Sequence, residues 1–407
     1  GASGCEPSFS ARPAAWSKCK RRRILPAATV REAPASAPWH NPSMRTVAEF
    51  KIEYRSILDP NGALIARPPA FATDFEDVRG MYRAMMRERL FDAKAVNLQR
   101  TGQLGTYASS LGHEATHIGV GAAMRPEDVL APVYREIGTQ MWRGVTMTEI
   151  LAYWGGDERG NDFAHARHDF AWCVPIATQT LHAAGAAMAF KILGQPRCAV
   201  AYIGDGGTSE GAFYEALNLA GARALPVVFV VVNNGWAISV PVAEQTAAKT
   251  LAQKAVSAGM PGIQVDGNDV FAVRETVSAA LATARRGAGP TLIETLTYRL
   301  SDHTTADDSG RYRNPDEVGK AWALEPLARV REYLAGAGAW TAADEQAWAG
   351  ECAREIDAAV GDYLKTPKPS TDAMFDHLFA EMPRHLLEQR AVARRYGSGP
   401  GAKSSGH

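Results

Sequence analysis

Residues 198–211, Cys-Ala-Val-Ala-Tyr-Ile-Gly-Asp-Gly-Gly-Thr-Ser-Glu-Gly, pass from an unbroken apolar run into a glycine-rich turn that holds one aspartate, Asp205. An apolar run with no polar alternation reads as a strand covered on both faces. A helical pattern follows over 210–224, and a second all-apolar run over 227–232. The alternation continues with a strand at 262–265, a helix at 270–286 and a strand at 292–296. Buried strands separated by helices predict an α/β fold, a central and mostly parallel sheet with helices on both faces.

Working outward, Phe75, Val78, Met81, Met85, Leu90, Phe91, Ala95 and Leu98 recur at helical spacing, which predicts a helix over 75–100. Shorter helical patterns occupy 113–124 and 146–154, and 177–193 is helical with Ala and Gly on several faces. Past Pro326 come further helical segments, a Pro- and Lys-containing stretch at 365–370 and a last helix over 382–395. The sheet therefore carries helical extensions at both ends. We divide the chain into a leader (1–43), an α/β domain with its N-terminal helical extension (44–326), a C-terminal helical region (327–396) and a Gly/Ser-rich tail (397–407) expected to be disordered. The leader sets Lys18 and Lys20-Arg21-Arg22-Arg23 against only Glu6 and Glu32. Such a composition suits a transit peptide, or a disordered or non-native leader, an upstream or vector-derived extension with Met44 as the natural start.

Lys plus Arg equals Asp plus Glu at 44 each in 407 residues. Nothing global attracts nucleic acid or an anionic membrane. The apolar stretch at 225–232 is far shorter than the roughly 20 residues of a membrane span. Five cysteines without metal-like spacing argue against a disulfide scaffold and a zinc site. A soluble enzyme of a reducing compartment is expected: bacterial cytoplasm, or the mitochondrial matrix if the leader is a transit peptide.

The chemistry gathers where the strands end. In a parallel sheet, ligands bind beyond the carboxyl ends of the strands. Gly204, Gly206 and Gly207 let backbone N–H groups approach a phosphate at a helix start, and Asp205 beside them is a hard oxygen ligand suited to Mg²⁺. The next apolar run ends in Asn233-Asn234-Gly235-Trp236. Asn-Gly there is also a hairpin signal. If instead 227–232 is a central parallel strand, Asp205 and Asn234 face one cation from adjacent strand ends.

Gly204-Asp205-Gly206, the spacer and Asn233-Asn234 together resemble the thiamine diphosphate–Mg²⁺ binding motif. With that motif placed, the chain resembles the alpha subunit of the decarboxylating component of heterotetrameric 2-oxo acid dehydrogenase complexes. The resemblance includes Gly112-His113-Glu114-Ala115, Tyr134-Arg135-Glu136, Pro175-Ile176-Ala177-Thr178-Gln179, Val265-Asp266-Gly267-Asn268-Asp269 and Tyr298-Arg299 followed by His303-Thr304-Thr305-Ala306-Asp307-Asp308.

The resemblance implies a thiamine diphosphate-binding fold and oxidative decarboxylation of a 2-oxo acid, with acyl transfer to a lipoyl group on a transacylase core. It implies a beta subunit that completes the site in an alpha2-beta2 heterotetramer. Mg²⁺ would be held by Asp205, Asn234 and the Trp236 carbonyl, and the diphosphate by Tyr134, Arg135 and the N–H groups of Gly206 and Gly207. Ile176 would lie under the cofactor. His303 would close over the phosphates and serve in stabilisation or proton transfer, because histidine titrates near neutrality. On residue type alone, Tyr134–Arg135 also reads as a helix-surface pair, His303 as a solvated loop histidine and Ile176 as plain core. Residues 155–171 lack a Gly-Lys-Gly-Arg-Gln run carried by many members, and Val232 stands where branched-chain homologues place an Arg. Both point to pyruvate, with 2-oxoisovalerate or acetoin chemistry as alternatives.

Overall fold

The computed structural model describes residues 45–397; the Arg-rich leader and the tail beyond Gly397 lie outside the described residues. Among the described residues there are eight strands: β1 (Glu53–Arg55), β2 (Val129–Ala131), β3 (Ala199–Gly204), β4 (Val227–Asn233), β5 (Trp236–Ala237), β6 (Val240–Pro241), β7 (Gly262–Asp266) and β8 (Thr291–Leu296). Six of them form one sheet in the order β1-β7-β8-β4-β3-β2. Every pairing in it is parallel. The helices that concern the site are α1 (Phe75–Arg100), α2 (Glu114–Ala123), α3 (Ile137–Trp142), α4 (Met147–Trp154), α5 (Thr178–Ile192), α6 (Gly211–Arg223), α7 (Val242–Gln245) and α8 (Val270–Arg285). Toward the carboxyl end follow α9 (Pro315–Trp322), α10 (Pro326–Gly336) and α11 (Ala342–Lys365).

Strand period two divides the core. Val228, Val230 and Val232 of β4 join Val200, Tyr202 and Ile293 in a cluster with α1, α2, α8 and α10. Val227, Phe229 and Val231 face the other way, with Ala199, Ala201, Ile203 and the inner faces of α5 and α6. Each fully buried Val or Phe stabilises this sandwich by roughly 1.5–3 kcal/mol. A third cluster joins the second half of α1 to α4 and α11 around Trp154 and Trp172.

Local signals set the helix starts. Asp74 caps α1 by accepting from the amides of Glu76 and Asp77, and Thr146 with Glu149 forms a capping box on α4. Buried Asp269 caps α8, while its other oxygen accepts from the amides of Ile57 at 2.6 Å and Leu58 at 2.7 Å, stapling the segment after β1 to the helix.

Two outcomes differ from sequence expectation. The strands β1 and β2 are only three residues each, too short for any periodic signal. The hairpin reading of Asn-Gly does not hold for β4, which lies between β3 and β8. A small hairpin does form just beyond it, β5 with β6, and there Ile238 takes a left-handed φ of 56°.

Candidate functional site

Because the sheet is parallel, the loops after β2, β3, β4 and β8 leave along one edge. They bring Tyr134 and Arg135, Asp205, Gly206, Gly207 and Ser209, Asn234, Trp236, Ala237 and Ile238, and His303 to one cleft of about 1160 Å³. Tyr134, Arg135, Ile176, Gly204, Asp205, Gly206, Gly207, Asn234, Trp236 and His303 all line it. Ten residues separated by up to 169 positions thus share one concavity.

Asp205 sits beside the end of β4: its amide donates to the Val232 carbonyl at 3.2 Å. Its carboxylate is buried and accepts from Gln245 Nε2 at 3.1 Å. Burial raises its pKa, against the Gln245 hydrogen bond and nearby backbone amides. A carboxylate whose ionisation burial opposes gains from a divalent cation. The Asn234 Oδ1 accepts from its own loop's Trp236 amide at 3.2 Å, which leaves a lone pair. The Trp236 carbonyl accepts from Arg299 Nη1 at 3.2 Å and likewise keeps one. Among the described residues no group of three or more His, Cys, Asp or Glu could hold a metal. One carboxylate with two neutral oxygens suits instead an ion that shares its charge with phosphates.

The turn itself is cut to close tolerances. A Cβ on Gly206 would meet Ala237 Cβ at 2.5 Å, and one on Gly207 would meet Ile203 Cγ1 at 2.7 Å and Ile176 Cγ2 at 3.0 Å. Ile176 is therefore a cleft residue, 43% exposed, and not plain core. The next residue, Ala177, is held left-handed at φ 68° to start α5. With Val174, Ile238 and Val240, which are 52%, 56% and 40% exposed, Ile176 gives the cleft an apolar rim.

Arg135 is buried and lies on no helix, so the helix-surface reading fails. It donates to the Ser109 carbonyl and to the His303 carbonyl at 3.0 Å. The His303 ring stands edge-on to Tyr134, centroids 6.3 Å apart. Its loop is set by side chains. Asp307 accepts from the His303 amide at 2.8 Å and from the Tyr312 hydroxyl. Tyr312 in turn accepts from Arg299 Nη2 at 2.7 Å, and the same nitrogen reaches the Ile238 carbonyl at 2.8 Å.

The near-neutral titration expected of His303 is not what this surrounding gives. Burial first, then the charges of Arg135 and Arg299, push its pKa down to about 4, against the pull of Asp307. His303 is a neutral imidazole at pH 7, able to donate one hydrogen bond and accept another.

Sequence reasoning did not single out Gln245, Arg299 or Gln179 as site residues. Gln179 lines the cleft, donates to the Tyr202 carbonyl at 2.7 Å and keeps a buried Oε1 without a partner. Polar residues that act through tertiary hydrogen bonds leave no periodic or spacing signal.

Comparison with known proteins identifies the family. The family described as the dehydrogenase E1 component matches residues 82–371. The alpha subunit of 3-methyl-2-oxobutanoate dehydrogenase from Mycobacterium tuberculosis is 44% identical over 322 residues, covering 78% of this chain and 87% of that protein. The alpha subunit of the pyruvate dehydrogenase E1 component from Staphylococcus aureus is 38% identical over 345 residues, covering 84% and 93%.

Proposed function

This chain belongs to the dehydrogenase E1 component family, and on that premise we propose that its cleft binds thiamine diphosphate with Mg²⁺ as one half of a site that a beta subunit completes. It is an alpha subunit of the 2-oxo acid dehydrogenase type, acting in the oxidative decarboxylation of a 2-oxo acid. The observation that carries the cofactor reading is the meeting of Asp205, Asn234 and the Gly206–Gly207 turn in the cleft that also holds Arg135 and His303.

The residues fit the group. Leaving a diphosphate unpaired in a buried cleft would cost several kcal/mol per charge. Asp205, the Asn234 amide oxygen and the Trp236 carbonyl would hold the metal. Arg135 would bind diphosphate by charge-assisted hydrogen bonds, with Tyr134 and the amides of Gly206 and Gly207. Thiamine diphosphate, when bound, supplies the electron sink that lets a 2-oxo acid lose CO₂. Ile176 would support the cofactor from below. His303, neutral and tethered through Asp307, would orient the reacting group or exchange a proton with it. In the complete reaction the acyl carbon reaches the thioester level, and the disulfide of a lipoyl group on a transacylase core is reduced.

Two substrates remain in play. The short 155–171 segment and Val232 support pyruvate; the 44% identity to the mycobacterial protein supports 3-methyl-2-oxobutanoate. The test is co-expression with a beta subunit, titration with thiamine diphosphate and Mg²⁺, and comparison of the two acids as substrates. Saturable, Mg²⁺-dependent binding with decarboxylation of one acid is expected. Absence of cofactor binding by the assembled protein would overturn the reading.

A further inference from the structure

Lys254 lies behind the turn that carries Asp205 and outside the cleft lining. It is only 8% exposed and sits on the short helical turn Ala252–Ala258. Its Nζ donates to the Thr208 carbonyl at 2.7 Å and to Thr208 Oγ1 at 2.9 Å, with the Tyr214 ring 5.2 Å away. Thr208 Oγ1 in turn donates to the Asp205 carbonyl at 2.7 Å. Among the described residues Lys254 has no carboxylate ion-pair partner.

A buried ammonium without a counterion is costly. Here its hydrogen bonds end on Thr208, whose chain neighbours Gly207 and Ser209 both line the cleft. Peptide planarity then matters. With the Thr208 carbonyl drawn back to Lys254, the Ser209 N–H points the opposite way. The hydroxyl contact also fixes the Thr208 side chain against the Asp205 backbone. We propose that Lys254 is a positioning residue for the anionic tail of the cofactor: it locks the 205–209 turn from behind and sets one uncompensated positive charge beneath it. This rests on reading the cleft as a diphosphate site.

The experiment uses the full chain co-expressed with a beta subunit. Hydrogen exchange of the 206–210 amides is followed without cofactor, and thiamine diphosphate affinity is measured by calorimetry with Mg²⁺. Lys254→Met is expected to speed exchange at the turn and weaken affinity, each by about tenfold, with Lys254→Arg close to wild type. Should Lys254→Met fail to fold, Thr208→Val keeps the carbonyl contact with Lys254 but removes the hydroxyl's bonds to Lys254 and to the Asp205 carbonyl, and is expected to show the same changes at smaller size. Wild-type exchange at the turn, or wild-type affinity, in the first folded variant of this pair overturns the proposal. An Asp205→Ala protein that binds cofactor like wild type would instead overturn the diphosphate reading, while the exchange result still decides whether Lys254 orders the turn.

Discussion

The wall of the cleft that carries Asp205 and Asn234 stands on the ends of two central strands, whereas the facing wall around His303 is a loop tied down by side chains. The first inherits its geometry from the sheet: β3 and β4 pair over six residues, and the register that sets Gly204 beside Val232 delivers the next residues together. The second owes its shape to Asp307, Tyr312, Arg299 and Arg313, whose hydrogen bonds reach the His303 amide, the Ile238 carbonyl and the Arg299 carbonyl. Binding groups placed on a stiff sheet edge keep their separation whether or not ligand is present. Groups placed on a side-chain-tied loop can be released by one substitution or by a change of protonation.

Four outcomes would sharpen or break that contrast. The largest effect is expected from Asp205→Ala, which removes the carboxylate that directly follows β3. Mg²⁺-dependent cofactor affinity should fall by roughly a hundredfold or more, with no loss of melting temperature in the cofactor-free protein. A drop in melting temperature without a change in calorimetric affinity would make Asp205 structural. Next, His303→Gln should lower turnover by about tenfold to a hundredfold while sparing cofactor affinity; equal turnover in variant and wild type removes its role. Third, Tyr312→Phe unties Asp307 from Arg299 by removing two hydrogen bonds, a loss of about 2 kcal/mol at about 1 kcal/mol each. Hydrogen exchange should rise over 301–313 and stay unchanged over 203–208. Exchange rising equally in both segments would mean that the two walls are one mechanical unit.

The smallest effect is a pH dependence. His303 has a folded pKa of about 4 against 6.5 as the ordinary value. The unfolded chain therefore takes up a proton first as pH falls. Its contribution to stability is complete above about pH 6.5 and is lost progressively as pH falls toward 4. The ring is only partly covered, so the change should be modest. Melting temperatures of wild type and His303→Gln should diverge between pH 7 and pH 4, with the wild type losing more. Parallel profiles would mean that the loop does not keep the ring neutral.

The strand-end wall was legible in the sequence for a physical reason. An apolar run, a glycine turn and a helix are consecutive in the chain, so periodicity and spacing report them together. The helix over 75–100 was equally plain, since its apolar stripe and the Asp74 cap are local. The other wall was only half visible. His303 stood out as a residue type, but the charges that hold it neutral come from Arg135 and Arg299, which no local pattern ties to it. Lys254 was silent for the same reason, its acceptor lying 46 positions away. Arg135 could be taken for a surface residue until the fold buried it.

The greasy lip formed by Val174, Ile176, Ile238 and Val240 leaves hydrocarbon facing water. Water-exposed hydrocarbon of that kind invites self-association, so a surplus of this polypeptide over whatever covers the lip should clump or be degraded. Balanced synthesis of the two would then be a matter of solubility as much as of catalysis.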